Sequence, residues 1–311
     1  MPTDSMHHLI VPFAQSAGDG WLETVTKLEL KNLSQLLRGM KLAEIDAGQA
    51  DSLSPPHERV LAKALGLPDS ADGLIPWAAS KAKANLNEGW AFITPCHWAM
   101  GREHATLTDP ATLDSTEAES RTLLAAMQPY FATDGVTLHF ATPTRWLARG
   151  DVFASLPTTS LDRVLGRNVD RWLPPSKAIK LLQNEMQMLL YTHVINDERA
   201  AKGQRSINSF WISGSGALTE TATSAPKVKV TRSLAPSAFA NDWAAYALAW
   251  AQLDATDIAQ LLAQQKSGKT LRISLCGETN ALTFETEQQG FLTKISNVLS
   301  PQRPINVLKQ L

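Results

Sequence analysis

Cysteine is nearly missing from this chain. Cys96 and Cys276 are the only two in 311 residues, too few and too far apart for a disulfide framework or a multi-cysteine zinc site, and they fit a reducing compartment. An excess of either charge is missing too: 29 basic residues stand against 30 acidic ones, a net charge of -1, so no global field draws the chain onto nucleic acid. No run reaches the roughly eighteen apolar residues of a membrane span, and the first residues hold only the short apolar stretch Leu9 to Phe13 with no basic leader. Neither export nor membrane insertion is expected, and a cytoplasmic location is. Internal repeats and low-complexity runs are lacking, which excludes the solenoid class. H-E-x-x-H, a P-loop and a three-glycine dinucleotide fingerprint are lacking as well, so no cofactor and no metal is expected.

What is present is a globular composition, 44% hydrophobic with a mean hydropathy of -0.14, long enough for one large core or two modest ones. Leu9 to Phe13 reads as a buried strand, followed by apolar residues at helical spacing from Trp21 to Leu37. Ser54-Pro55-Pro56 opens a short helix and Pro76 to Leu86 another, with a strand at Trp90 to Thr94. A helix from Thr116 to Gln128 is expected to stop at Pro129, a strand to run from Thr137 to Ala141, and a helix to run from Ser160 to Arg171. Lys177 to His193 is the strongest helix, with Ile179, Leu182, Met186, Leu189 and Leu190 as its apolar face. Ile207 to Ile212 reads as a strand ending in the turn Ser213 to Gly216, and Thr219 to Pro226 as a loop. Helices at Trp243 to Gln252, Thr256 to Gln265 and Gly290 to Leu299, with strands at Leu271 to Cys276 and Leu282 to Glu285, complete the pattern. The alternation predicts an α/β fold, a layered mixed sheet with helices on both faces. A helix-rich region over 1–88 and a main region over 89–311 are expected, or one continuous domain.

Several residues could carry chemistry. On one predicted helix, Arg163, Arg167 and Arg171 share a face and could fork onto a phosphate or carboxylate, or simply form a solvated surface. Asn184, Gln187 and Tyr191 align along the long helix, and Glu185 sits beside apolar neighbours, as a ligand-facing row or as a structural network. His97 and His193 are candidate proton carriers near neutral pH, with Glu185 as the candidate acid or base. Ser213-Gly214-Ser215-Gly216 could present backbone amides to an anion, or be a plain turn.

Four ordered strings then carry a resemblance: Trp90-Ala91-Phe92-Ile93-Thr94-Pro95-Cys96-His97-Trp98; Leu161-Asp162-Arg163 with Gly166-Arg167-Asn168-Val169; Gln183 to Tyr191; and Asn208-Ser209-Phe210-Trp211-Ile212-Ser213-Gly214-Ser215-Gly216. Together they resemble the proteobacterial RpfE-type regulatory proteins, many of which carry a cofactor-independent phosphoglycerate mutase label. The N-x-x-W-x-x-G-x-G string from Asn208 is similar to one in archaeal-type phosphoglycerate mutases of the alkaline phosphatase superfamily. The resemblance implies a degenerate form of that fold. The first strand ends in Val11-Pro12-Phe13-Ala14 where those enzymes place a metal-binding aspartate, and a later strand ends in Cys276-Gly277-Glu278 in place of their Asp-His ligands.

The expected function is a regulatory protein that binds a small anionic ligand or a protein partner. The ligand set would be Arg163, Arg167, Asn168, Asn184, Gln187, Asn208, Trp211 and Ser213 to Gly216. The alternative is a phosphoglycerate-mutase-like phosphomutase or phosphohydrolase, and nine tryptophans offer anchors for a pure interaction module.

Overall fold

The computed structural model describes residues 7–68, 70–220, 227–286 and 303–311. Its chain divides into two units, Met1–Gly66 with Ala222–Leu311 and Leu67–Thr221. The stretch 67–88 belongs to the second unit. The loop expected at Thr219 to Pro226 lies mostly outside the described residues, and so does the helix expected at Gly290 to Leu299.

In the first unit, His7–Val11 is β1, and the single helical period expected over Trp21 to Leu37 divides into α1 (Trp21–Thr26) and α2 (Lys31–Arg38). The edge strand β2 (Met40–Ala47) follows, then α3 (Pro56–Ala64), which starts on proline as its sequence predicts.

The second unit opens with α4 (Trp77–Ala82), β3 (Trp90–Cys96) and the hairpin β4 (Trp98–Met100) and β5 (Ala105–Leu107). Helix α5 (Glu117–Thr133) begins with a reciprocal capping box between Thr116 and Glu119. It does not stop at Pro129. Phe131, two residues on, is fully buried, and the Gln128 side chain bonds both Val136 O and Leu138 N, which fastens the helix end to the next strand. After β6 (Thr137–Thr142) and β7 (Arg145–Arg149) come α6 (Leu161–Val164), α7 (Lys177–Tyr191), α8 (Val194–Ala201) and β8 (Ser209–Gly216). The sheet has the order β6-β7-β3-β8 and is antiparallel throughout. Ala91, Ile93, Leu138, Trp146, Ala148, Phe210 and Ile212 pack on one side against Leu123, Met127 and Phe131 of α5 and Ile179, Leu182, Met186 and Leu190 of α7. Helix α4 lies against β3 and β8.

The chain then returns to the first unit as β9 (Val228–Val230), α9 (Ala235–Ala240), α10 (Trp243–Leu253), α11 (Ala259–Lys266), β10 (Leu271–Cys276), β11 (Asn280–Thr286) and α12 (Pro304–Leu308). A π-helical turn, Asp254–Ile258, joins α10 to α11 without a break, where two separate helices were expected. Its buried Asp254 carboxylate accepts from the backbone N–H groups of Asn32 (3.1 Å) and Leu33 (2.8 Å), filling the donors left open at the start of α2. The sheet order is β2-β11-β10-β1-β9, with β1 parallel to both β9 and β10 and the other pairs antiparallel. Leu9 and Val11 face the core built with α1, α2, α10 and α11, while Ile10 faces Val60 of α3. Each unit therefore has its own core of helices packed on a sheet, the mixed α/β architecture expected from the sequence. No described helix is long and apolar enough to cross a membrane.

Candidate functional site

Strand β8 carries five of the eleven ligand candidates and Asn208 directly precedes it, and the side chains of Asn208, Trp211 and Ser215 are engaged within the second unit. The Asn208 side chain takes the Trp98 N–H on Oδ1 (2.7 Å) and donates from Nδ2 to the Trp98 carbonyl (3.0 Å). The buried Trp211 indole donates to Thr159 O at 3.0 Å. Ser213 to Gly216 is the end of the strand and not a turn. Ser213 is buried; Ser215 is fully buried, its hydroxyl 2.5 Å from Leu156 O and 2.7 Å from the Thr158 hydroxyl. Gly214 adopts φ +60, and a Cβ there would come within 2.9 Å of the Phe92 ring and 3.0 Å of Trp77. Its glycine admits the close approach of α4, so the run is packed backbone and not an anion-binding nest.

The arginine row does not form. The helix from Ser160 ends at Val164, Gly166 turns the chain at φ +68, and Leu165 and Asn168 bridge to Leu107 and Thr106 beside β5. A separate 3-10 turn holds Arg171. Arg163 is buried, Arg167 half-buried and Arg171 exposed, so the three share no helical face. The Asn168 carbonyl oxygen Oδ1 accepts from Asp170 N at 2.9 Å.

Helix α7 buries the face its periodicity predicts, except that Leu189 is only half-buried. Gln183 is buried and donates to Phe210 O (3.0 Å), and Gln187 donates to the Ser209 hydroxyl (3.3 Å), so both stitch α7 to β8. Asn184 and Glu185 are exposed on the outer face. His193 sits at the α7–α8 junction, where its Nδ1 accepts from Ile195 N (3.2 Å) and caps α8. His97 follows β3 and donates from Nδ1 to Ser206 O (2.9 Å). The three acid–base candidates thus serve at three different places in the fold.

What the segment leaves open to solvent is the outer face of α7. Leu181 is 61% exposed, Met188 70% and Tyr191 84%. Leu181 and Met188 are seven residues apart, two helical turns, and with Lys177, Asn184 and Tyr191 they form one stripe opposite the buried face. Val194 of α8 is exposed next to it. Four of the eleven exposed large hydrophobic side chains among the described residues fall between 181 and 194, a local cluster and not scatter. Sequence reasoning selected the polar residues of this face and passed over Leu181 and Met188, although their spacing opposite the core set was the available signal.

A second open feature is a polar cleft of about 350 Å³ lined by Leu86 to Gly89, Gly135, Thr137 and Arg149 to Asp151. The Glu88–Arg149 ion pair, at 2.8 Å, is part of its lining. The Asn85 amide, then the Trp90 indole and Arg149, hold the Glu88 carboxyl below its ordinary range.

In the first unit, the carboxyl ends of β1 and β10 are where the resemblance implies a two-metal site. Phe13, at φ +60, lies two residues beyond the first of these, its ring 5.3 Å from His57 and 4.8 Å from Phe239. The Tyr246 hydroxyl donates to the Phe13 carbonyl at 2.7 Å. After β10 come Gly277, whose Cβ position is closed by Leu311, and Glu278, whose N–H donates to Gln15. Burial pushes the Cys276 thiol well above its ordinary value, with Asp46 adding to the effect, so it is a poor thiolate ligand. Within neither unit, taken by itself, do three His, Cys, Asp or Glu side chains converge among the described residues. These residues do not fit the implied ions.

No family model matches the chain, and no curated protein matches it. Among solved structures it is similar to the cofactor-independent phosphoglycerate mutase of Thermoplasma acidophilum, at 12% identity and a TM-score of 0.38, covering 99% of both chains. It is also similar to the PH0037 protein of Pyrococcus horikoshii, at 10% identity and a TM-score of 0.46, covering 98% of this chain and 96% of the other.

Proposed function

We propose that this chain is a regulatory binding protein whose target is a protein partner, docked on the outer face of α7 and the start of α8. The carrying observation is the exposed apolar stripe of Leu181, Met188 and Tyr191 on a helix whose opposite face is anchored in the core. A rigid helix that presents large apolar side chains to water is the geometry of helix-mediated recognition, and its removal from water on docking is favourable. The resemblance to RpfE-type regulatory proteins supports the regulatory part.

A small anion is the weaker target, because Asn208, Trp211, Ser215 and Gln187 already have partners inside the second unit. The phosphomutase alternative draws on the string Asn208 to Gly216, and Phe13 and Cys276 stand where that chemistry would need metal ligands. The test is a photo-activated crosslinking residue at Met188 in cells of the native host. One discrete adduct, lost when Leu181→Lys is added, is expected. No adduct, together with a thermal shift on adding inorganic phosphate, would instead favour the small-anion reading.

A further inference from the structure

Among the described residues, little sulfur is open to an oxidant. Cys96 and Cys276 are both fully buried, and burial pushes each thiol well above its ordinary value, so neither offers the thiolate that oxidants attack first. Of the described methionines, Met40, Met127 and Met186 are buried in the two cores, while Met100 is 79% and Met188 70% exposed. Met100 lies on the short strand β4, outside the apolar stripe. Met188 lies within it, between Leu181 and Tyr191. From this placement we infer that Met188 is a redox-modification site, and that its conversion to the sulfoxide by hydrogen peroxide weakens docking on α7. The inference rests on the reading of that face as a docking surface and concerns its regulation.

The chemistry needs only an approach to the sulfur. A lone pair on Sδ attacks one peroxide oxygen, and the S–O bond forms as the O–O bond breaks. The proton on the transferred oxygen passes to the departing hydroxide, so the products are the sulfoxide and water. Sulfur loses two electrons and the peroxide gains them. A flexible apolar thioether has become a polar, chiral group. Pressed against a partner, the new oxygen gives up its hydrogen bonds to water, which offsets what the stripe gains by leaving water. The fold itself is spared, because Met188 is not part of the core that α7 enters. The same change two residues away, at Met186, would set a polar oxygen inside that core, and there burial protects the sulfur.

Graded hydrogen peroxide on the full chain, followed by peptide mass mapping, reads the modification. Met100 and Met188 are expected to gain one oxygen roughly tenfold or more faster than Met40, Met127 and Met186, with the circular dichroism spectrum and the urea midpoint unchanged. For docking, the photo-activated residue is moved to Tyr191. The purified chain is oxidised, freed of peroxide and added to an extract of the native host. Oxidation is expected to cut the adduct by roughly fivefold or more, in step with the fraction of Met188 oxidised. In Met188→Leu, which has no sulfur at this position, the adduct yield is expected to be the same with and without peroxide. Met100→Leu is expected to stay as sensitive as the parent. A parent adduct that survives full oxidation of Met188, or that peroxide lowers equally in Met188→Leu, overturns the inference and leaves the docking surface standing. Absence of an adduct both before and after peroxide removes the docking surface, and the inference with it.

Discussion

The side chain of Asn208 clasps the main chain of Trp98 at both polar ends, taking its N–H at 2.7 Å and giving an N–H to its carbonyl at 3.0 Å. An amide placed this way continues the β3–β8 pairing beyond Cys96, where Ser209 is the last paired residue of β8. Asn208→Ala leaves a donor and an acceptor of Trp98 without partners and is expected to cost about 1 to 3 kcal/mol, read from urea unfolding. Asn208→Asp keeps the acceptor and loses the donor, so it should fall between the two. A variant as stable as the parent would show that water replaces the clasp.

Along α7 the cost of truncation should follow burial. Leu190→Ala, at a fully buried position, is expected to lose ~2 to 5 kcal/mol, the half-buried Leu189→Ala less, and Met188→Ala within about 0.5 kcal/mol. Denaturant midpoints at constant slope decide the order. Equal losses at 190 and 188 would place Met188 in the core.

His8 should make the first unit acid-sensitive. Its Nε2 lies 2.8 Å from the Ser274 hydroxyl, which is 2.6 Å from that of Thr283, all three residues buried. Burial, and then Arg272, lower its pKa from 6.5 to about 4, against an opposing pull from Glu44. Between those values the unfolded chain binds the proton and the folded chain does not. Stability is therefore complete above pH 6.5 and is lost as pH falls towards 4, by roughly 3 kcal/mol. Urea midpoints taken across that window should slope downward with acid, and His8→Asn should flatten the slope.

Arg199 has no exposed surface; it bonds Leu113 O, Arg205 O (2.7 Å) and Glu119 (3.2 Å). Partial burial works against ionised Glu119, and the Thr116 N–H and hydroxyl with Arg199 outweigh it and hold its carboxyl low. Arg199→Met strands a carboxylate and two carbonyls and is expected to cost ~3 to 5 kcal/mol. Glu119→Gln, which keeps an acceptor for Arg199, should cost less. The comparison is made by thermal unfolding of both variants.

Elements whose reasons are local were legible in the sequence. Helix α7 has no internal glycine or proline and one clean apolar face, and α3 has its proline start. Strand β2 was not, because as an edge strand it shows Lys41, Leu42 and Ile45 to solvent and lacks inside-outside alternation. The run of α5 through Pro129 depends on Gln128 reaching residues 136 and 138, a tertiary effect that no window contains. At the candidate site the polar residue types were visible and their partners were not. Asn208 and Ser215 look available as letters, but the carbonyls and hydroxyls that engage them come from distant segments. The apolar face opposite the core of α7 was legible in principle, since Leu181 and Met188 keep the same period as the buried set.

The π-helical turn at Asp254 to Ile258 explains why α10 and α11 look like separate helices in the sequence. Tyr246, Trp250 and Leu253 before it and Ile258, Leu261 and Leu262 after it enter the same core. At about 100° per residue, a regular helix would swing the second trio roughly a quarter turn away from the first. The wide turn absorbs one residue and keeps the two trios in phase. The helix thus carries one residue more than its own geometry counts. Deleting Ala255 should relax it to an ordinary helix with its downstream face unmoved, whereas the same deletion at Ala263 should throw the remainder out of register. Of all single-residue losses in this segment, the first is the one the fold is built to survive.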